Sequence, residues 1–239
     1  MKHEMFDQSM NNGVNERVIF NPQIAQKTAD FIVSSGAYSI NFDKPKDEWI
    51  KLPDNSIIPC YCNCRFINSD PIATQEIGKY MSQMVKEKFP ETELVIGLAT
   101  AGISWASRIA LEQKIPMAYV RSKSKGYGMG NLIECNPPKK LKTVIIDDAF
   151  FSGDSIIRAL DAVRSEINAD VIGVGVITNL SNLKQNIFFE NQLSKNIPLI
   201  SLTDYSFILN NLREKELING NQLLQLKQYY NNPESHPWC

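Results

Sequence analysis

The stretch from Thr143 to Ser155, TVIIDDAFFSGDS, decides the fold of this 239-residue chain. It opens with four residues of strong β propensity, and the apolar positions between Ile156 and Val163 recur at helical spacing. The pattern predicts a buried strand, two adjacent carboxylates, a short turn and a helix. Because strands alternate with helices through the rest of the chain, we expect an α/β fold whose central sheet is mostly parallel.

The acidic pair and the turn have the chemistry of a site for a phosphorylated sugar. At a helix N-terminus, Ser152, Gly153 and Ser155 offer hydroxyls, backbone N–H groups and the positive end of the helix dipole to a phosphate. Asp147 and Asp148 end a parallel strand, and their carboxylates can accept hydrogen bonds from vicinal sugar hydroxyls. These residues predict a ribose 5-phosphate site; the alternative is an ordinary crossover in which the acidic pair caps the helix.

Two motifs carry a resemblance to a known family. TVIIDDAFFSGDS resembles the motif with which type I phosphoribosyltransferases bind phosphoribosyl pyrophosphate (PRPP). Residues 97–134, GLATAGISWASRIALEQKIPMAYVRSKSKGYGMGNLIE, are similar to the matching segment of the bacterial orotate phosphoribosyltransferase family. The two motifs occur in the expected order and at the expected spacing. The resemblance extends over roughly residues 22–238.

The resemblance implies the type I phosphoribosyltransferase fold, in which helices flank a mostly parallel central sheet beneath a small hood subdomain. The hood, mainly residues 22–66, precedes a PRPP-binding core of about residues 70–205 and C-terminal helices at 205–231. Together these parts make one phosphoribosyltransferase domain over residues 21–239. Residues 1–20 are rich in Asn and Gln and carry no motif, and we expect them to form a flexible N-terminal extension.

The resemblance also implies which residues bind PRPP. They lie in a basic, glycine-rich loop and in the acidic strand end with its turn: Arg121, Lys125, Tyr127, Asp147, Asp148, Ala149, Phe150, Phe151, Ser152, Gly153, Asp154 and Ser155. The small residues of the GxATAGI turn, Thr100, Ala101 and Gly102, are expected to cradle the pyrophosphate.

The reaction that the resemblance implies joins orotate to PRPP and releases pyrophosphate, giving orotidine 5-phosphate in pyrimidine synthesis. It assigns catalysis to Lys125, Asp147 and Asp148. Mg2+ is expected to be carried by PRPP, without a protein side chain as its direct ligand. In the family the loop of residues 121–131 reaches the neighbouring subunit's site, so the resemblance implies a homodimer.

The segment that covers the nucleobase departs from the family pattern. Arg65 and Phe151 are the residues expected to contact orotate, but Phe151 stands where a small hydroxylic residue is usual. Asp54 and Asn55 replace a Ser-Gly pair. Three alternatives therefore stay open: transfer to another nucleobase, a catalytically weak PRPP-binding regulator on the same fold, and an unrelated α/β nucleotide binder.

Asp154 is a further departure, with two alternative consequences. Beside the expected 5-phosphate, its carboxylate weakens PRPP binding through a repulsion of roughly 1 to 4 kcal/mol. If it points away and caps its own helix, its charge is favourable at that N-terminus. We favour the capping alternative because Gly153 and Ser155 leave the turn adaptable.

Composition argues against several classes of function. A net charge of −1 gives no basic surface for nucleic acid or for a membrane. No apolar run approaches a membrane span, and residues 1–16 lack the apolar core of a signal peptide, so we expect a soluble, cytoplasmic protein. Five cysteines, an odd number, do not indicate a disulfide framework. Cys60, Cys62 and Cys64 are expected as small buried residues on one face of a strand.

Overall fold

A seven-stranded sheet forms the centre of the molecule. The structure is a computed structural model that describes residues 17–51, 55, 57–123, 131–181 and 197–232. Its strands are β1 (Val18–Ile19), β2 (Tyr38–Ile40), β3 (Ile50–Lys51), β4 (Ile57–Ile58), β5 (Cys60–Cys62), β6 (Leu94–Leu98), β7 (Met117–Val120), β8 (Ile133–Glu134), β9 (Lys142–Phe150), β10 (Asp170–Asn179) and β11 (Leu199–Asp204). The central sheet has the order β1-β11-β10-β9-β6-β7-β8, and only the β7 and β8 pair is antiparallel. The predicted mostly parallel sheet is therefore confirmed.

Helices cover both faces of this sheet. They are α1 (Pro22–Ser34), α2 (Pro71–Lys88), α3 (Ala101–Gln113), α4 (Asp154–Ala162), α5 (Tyr205–Glu214) and α6 (Gly220–Asn231). One buried cluster joins the sheet to α1, α2, α3, α5 and α6, and a second joins the opposite face to α4. A π-helical segment, Val163–Ile167, extends α4.

The central strand β9 shows why its sequence is continuously apolar. Val144 and Ile146 belong to the cluster that contains α2 and α3, whereas Ile145 belongs to the cluster that contains α4. Successive side chains of a strand point to opposite faces, and both faces are covered here. An uninterrupted run of β-branched residues is thus what this position in the sheet requires.

Both α1 and α2 begin with a capping side chain that is followed by proline. The Asn21 side chain accepts hydrogen bonds from two backbone N–H groups of α1, and Asp70 does the same for α2. Pro22 and Pro71 occupy the first helical positions, where the missing N–H group is not needed.

The hood contains two small antiparallel sheets, one of β2 and β5 and one of β3 and β4. The hydroxyls of Tyr38 in β2 and Tyr230 in α6 lie 2.9 Å apart and join the hood to the C-terminal helix. In contrast, α1 packs on β11 and α5. The boundaries of the hood stay a prediction. The expected flexible extension is wrong for residues 17–20, because Val18 and Ile19 form β1 and pair with β11 in the central sheet. Residues 1–16 lie outside the described residues.

The three hood cysteines do not all lie on one strand. Cys60 and Cys62 lie in β5, but Cys64 begins a 3-10 helix, so the prediction is wrong for Cys64. β5 ends at Cys62, which pairs with Tyr38, the first residue of β2. Within the described ranges, no group of three or more His, Cys, Asp or Glu residues could hold a metal ion, and no helix is long and apolar enough to cross a membrane.

Candidate active site

The acidic pair lies on β9 at the carboxyl edge of the central sheet. The strand continues through Asp147 and Asp148 to Phe150, so the turn begins at Phe151. It continues because Ala149 and Phe150 pair with the end of β10. The Phe150 side chain is buried in the cluster that contains α4. Asp147, which is 9% exposed, and the half-buried Asp148 bring two carboxylates to this edge.

Burial makes both carboxylates reluctant to ionise. It raises the pKa of Asp147 well above its usual value, and repulsion by Asp148 raises it further. Burial also raises the pKa of Asp148, against the opposing effect of hydrogen bonds. The backbone N–H groups of Asp148 and Ala149 donate to Asp147 and Asp148, each at 2.9 Å. Such a pair favours a partner that brings hydroxyl donors or positive charge.

The turn after β9 leads directly into α4. Gly153 adopts a φ of +86° at the N-cap position, a conformation that other residues rarely adopt. Asp154 is the first helical residue, and its carboxylate accepts a 2.7 Å hydrogen bond from the Ser152 hydroxyl. No side chain caps this helix, so the expectation that Asp154 does so is wrong. The backbone N–H groups of the turn are therefore not occupied by a side-chain cap.

The N-terminus of α3 lies beside the acidic pair because of one glycine. Thr100 is the N-cap residue and α3 begins at Ala101. A Cβ atom on Gly102 would lie 3.2 Å from the Cα atom of Asp147 and closer still to the Ile146 carbonyl oxygen. The small residues of this turn were expected to let the backbone approach the pyrophosphate. At Gly102, the backbone that comes close is that of β9. That contact fixes the helix end at the sheet edge.

Two arginines flank a small cavity between the ends of β6 and β7 and the first turns of α4. The cavity encloses about 70 Å³, and its lining includes Ala99, Arg121, Ser155 and Arg158. Arg121 donates to the Glu134 carboxylate at 3.2 Å, which orients its guanidinium. Arg158 was not predicted from the sequence as a site residue. Its spacing of three residues from Ser155 on one helix was the available signal.

The ends of the glycine-rich loop are held together at its base. The backbone N–H of Arg121 donates to the Leu132 carbonyl at 3.0 Å. The N–H groups of Leu132 and Ile133 donate to the two carboxylate oxygens of Glu166, at 2.9 and 3.0 Å. Glu166 lies in the π-helical extension of α4 and was also missed, because its partners are more than 30 residues away in sequence.

Two further predicted site residues lie outside the described residues, and a third is exposed. Lys125 and Tyr127 lie outside the described residues, and their roles stay predictions. Arg65 is exposed, and its Nε donates to the Asn63 side chain at 2.7 Å. Its positive charge opposes the rise in the pKa of Asp148 that burial causes.

A larger cavity, named here the apolar cavity, lies between the hood, the acidic strand end and α6. It encloses about 230 Å³. Ala149 and Phe151 line it from the acidic segment, Cys60 from β5, Leu180 from the end of β10, and Tyr230 from α6. Phe151 is 37% exposed, so a ligand in the cavity can reach its ring.

Comparison with known proteins identifies the family of this chain. The model of the phosphoribosyl transferase domain matches residues 66–184. The orotate phosphoribosyltransferase of Halalkalibacterium halodurans is 38% identical over 180 residues, which cover 75% of this chain and 84% of that protein. The chain belongs to the orotate phosphoribosyltransferase family. The family predicted from the two motifs is thereby confirmed.

Solved structures share the fold of this family member. Orotate phosphoribosyltransferase from Aeropyrum pernix matches with a TM-score of 0.63 at 21% identity, covering 80% of this chain and 99% of that one. UMP synthase from Leishmania donovani matches with a TM-score of 0.72 at 19% identity and covers 88% of this chain. This chain spans only 42% of that protein. The predicted type I phosphoribosyltransferase fold is confirmed.

Proposed function

We propose that this chain transfers the 5-phosphoribosyl group of PRPP to orotate, giving orotidine 5-phosphate and pyrophosphate in pyrimidine synthesis. One observation carries the proposal. In a chain of this family, the acidic pair, the first turn of α4 and the N-terminus of α3 converge at one edge of the sheet. Carboxylates suit a ribose diol, and helix N-termini suit phosphates, so the arrangement fits a sugar with phosphate groups at both ends.

PRPP is proposed to lie along this edge of the sheet. Its ribose hydroxyls donate to Asp147 and Asp148, and its 5-phosphate accepts hydrogen bonds from the turn of residues 152–155. Its pyrophosphate lies toward the N-terminus of α3, where Arg121 and Arg158 flank the small cavity. This placement gives each charged part of PRPP a partner of complementary charge or hydrogen-bonding character.

The transfer breaks the bond between the anomeric carbon and a pyrophosphate oxygen and forms a bond from that carbon to N1 of the base. Positive charge develops on the ribose, and the carboxylates of Asp147 and Asp148 stabilise it. Negative charge develops on the pyrophosphate, and Arg121 and Lys125 stabilise it. Closure of the loop of residues 121–131 is proposed to exclude water, which would otherwise compete with the base as nucleophile.

Members of this family generally use Mg2+ together with PRPP. The site fits such an ion, because Mg2+ prefers oxygen ligands and Asp147 and Asp148 present carboxylate oxygens at the sheet edge. As the family resemblance implies, we propose that PRPP carries the ion. When bound, Mg2+ supplies charge neutralisation to the leaving pyrophosphate.

Orotate and the second subunit complete the proposed site. Phe151, which lines the apolar cavity, stacks on the base, and Arg65 faces the orotate carboxylate at the open side. Lys125, on the loop of residues 121–131, acts in the site of the second subunit of a homodimer. The site then needs the partner's loop for full activity.

Pyrophosphate release tests the proposal, measured with PRPP and Mg2+ in the presence and absence of orotate. We expect orotate-dependent release that falls about 100-fold or more in Asp147→Asn. Asp161→Asn, the same change at an exposed position of α4, is the matched control and should stay within about twofold. Binding of PRPP without release on any base contradicts the proposal and favours a PRPP-binding regulator.

A further inference from the structure

Two thiols of the hood lie close together. The Sγ atoms of Cys62 and Cys64 are 3.6 Å apart, and both thiols are free. In a continuous strand, side chains two positions apart are separated by about 6 to 7 Å. The chain leaves β5 after Cys62 and enters the 3-10 helix Cys64–Ser69, and this change of direction brings the two sulfur atoms together. A small movement of the two side chains therefore suffices for a sulfur–sulfur bond.

The two thiols differ in their access to solvent. Cys62 is half-buried and lines the apolar cavity, so a small oxidant that enters the cavity reaches its sulfur atom. Cys64 is fully buried. A hydrogen bond to Cys62 is the main reason that the pKa of Cys64 is raised well above its usual value, and burial raises it further. Cys64 therefore keeps its thiol proton, and Cys62 is the thiol that meets the oxidant first.

The pair lies where the hood meets the acidic strand. Cys62 lines the cavity beside which the acceptor base is proposed to stack, and the 3-10 helix that begins at Cys64 packs on β9. Between the two cysteines, the Asn63 side chain accepts the 2.7 Å hydrogen bond from Arg65, the residue proposed to face the orotate carboxylate. A bond between the two sulfur atoms closes a ring that contains the Asn63 backbone. It therefore alters the segment that holds Arg65.

We infer that Cys62 and Cys64 form a redox modification site, at which hydrogen peroxide produces a reversible disulfide that weakens the binding of orotate. The effect on orotate rests on the proposed transfer activity, whereas formation of the disulfide does not. A reversible disulfide of this kind is typical of redox sensing in a reducing compartment.

The oxidation proceeds in two steps. The Cys62 sulfur attacks one peroxide oxygen, the oxygen–oxygen bond breaks, and water leaves, which gives a sulfenic acid at Cys62. The Cys64 sulfur then attacks the Cys62 sulfur, the sulfur–oxygen bond breaks, and the Cys64 proton leaves with the hydroxide as a second water. Two thiols are oxidised to one disulfide while one hydrogen peroxide is reduced to two waters. A thiol reductant reverses the oxidation.

The first experiment maps the disulfide in the full-length chain. Cys135→Ser and Cys239→Ser leave the three hood cysteines as the only thiols. After treatment with hydrogen peroxide and alkylation, trypsin releases residues 52–65 as one peptide, and cleavage after Tyr61 separates Cys60 from the pair. We expect the peptide of residues 62–65 to be two hydrogen atoms lighter than its reduced form. Two alkyl groups on this peptide, or a sulfinic acid at Cys62, overturn the inference.

The second experiment measures the effect on the reaction. With saturating PRPP and Mg2+, kcat/KM for orotate is measured by pyrophosphate release before and after oxidation. We expect it to fall about tenfold, mainly through a higher KM for orotate, because the contact with the orotate carboxylate is weakened. KM for PRPP should change less than about twofold, and dithiothreitol should restore the activity. Unchanged kcat/KM in protein that carries the mapped disulfide overturns the inference, as does an equal rise of both KM values.

Two variants separate this pair from general oxidative damage. Cys62→Ser cannot form the bond, so its kcat/KM after peroxide should stay within about twofold of its own value before treatment. Cys60→Ser is the matched control, the same change two residues away in β5, and it should keep the tenfold response. A tenfold response in Cys62→Ser overturns the inference. If Cys62→Ser does not fold, Cys62→Ala replaces it.

The two proposals fail in different ways. If the reduced protein releases no pyrophosphate with orotate, the proposed transfer activity fails. The peptide map then still decides whether the disulfide forms. Calorimetric titration of orotate into the reduced and the oxidised protein, with PRPP and Mg2+ present, decides its effect, and equal affinities overturn the inference.

Discussion

The two halves of the site are built in opposite ways. The donor half, where PRPP is proposed to bind, consists of charged groups and helix ends at the edge of the central sheet. The acceptor half, the apolar cavity, is lined in the described part of the chain by apolar, aromatic and thiol residues of the hood, the acidic segment, the end of β10 and α6. The sheet and its crossover helices determine how the donor is held, whereas the hood and α6 contribute to the acceptor half together with Ala149 and Phe151 of the acidic segment. A change of acceptor through the hood or α6 therefore need not alter the donor half.

The largest loss of activity is expected for a substitution of Lys125 in the donor half. Lys125→Ala should lower kcat about 100- to 1000-fold, because a cation near the leaving pyrophosphate is lost. Thermal unfolding should not change. Lys123→Ala is the control, since it removes an exposed lysine from the same segment, and it should retain most of the activity. Full activity of Lys125→Ala removes this lysine from the mechanism.

The next largest effect, on protein stability, is expected at Gly102, whose contact with β9 places α3 in the donor half. Gly102→Ala should lower the free energy of unfolding by about 3 kcal/mol, because the added Cβ overlaps the β9 backbone. Urea unfolding measures this change. Gly220→Ala is a matched control, because a Cβ there meets no atom within 4 Å, and it should shift stability by less than about 0.5 kcal/mol. Equal stability of the two variants would show that α3 does not need this close contact.

The buried acidic pair should lower the stability of the folded protein at neutral pH. Because the folded-state pKa of Asp147 is raised, the folded protein holds this proton more tightly than the unfolded chain does. Stability therefore falls as pH rises from about 4 through the raised pKa. At pH 7, Asp147→Asn should be more stable than wild type by about 1 to 2 kcal/mol, and the difference should vanish toward acid pH.

Urea unfolding of both proteins between pH 3 and pH 8 measures that difference, with activity recorded in parallel. Asp161→Asn, at an exposed position, should show no comparable pH-dependent gain. If Asp147→Asn is less stable than wild type at every pH, the carboxylate is a structural group and the proposed division between the halves weakens.

The smallest effect, on PRPP affinity, is expected for a substitution of Asp154. Its carboxylate holds the Ser152 hydroxyl in the turn where the 5-phosphate is proposed to bind. Asp154→Asn removes a negative charge there and should tighten PRPP binding about threefold, measured by calorimetry. Orotate affinity in the acceptor half should not change. Weaker PRPP binding would mean that Asp154 orients the turn for the phosphate.

The donor half was largely predictable from sequence, because it is formed by local patterns. The apolar run before Asp147 and Asp148 determines the strand, and the glycine after it determines the turn. The contact of Gly102 with β9 was not predictable, since a glycine in a turn looks the same whether a ligand or a strand approaches it. Arg158 was missed because a single arginine on an amphipathic helix usually faces solvent.

The acceptor half was much less predictable. Its lining comes from segments that are far apart in sequence. No local pattern predicts that Cys60, Leu180 and Tyr230 line the same cavity. The position of Cys64 was also mispredicted, because the length of β5 depends on where β2 begins. The extent of a short strand is determined by its pairing partner and not by its own residues.

The hydrogen bond between Tyr38 and Tyr230 joins residues 192 positions apart. During synthesis, the sheet edge around β6, β7, β9 and β10 can form before α6 has left the ribosome, since domains fold as their segments become available. The acceptor cavity cannot close until the final helix arrives. A chain that stops short of α6 is therefore expected to keep a surface for PRPP while having no enclosed place for a base, so a premature stop would separate donor binding from transfer.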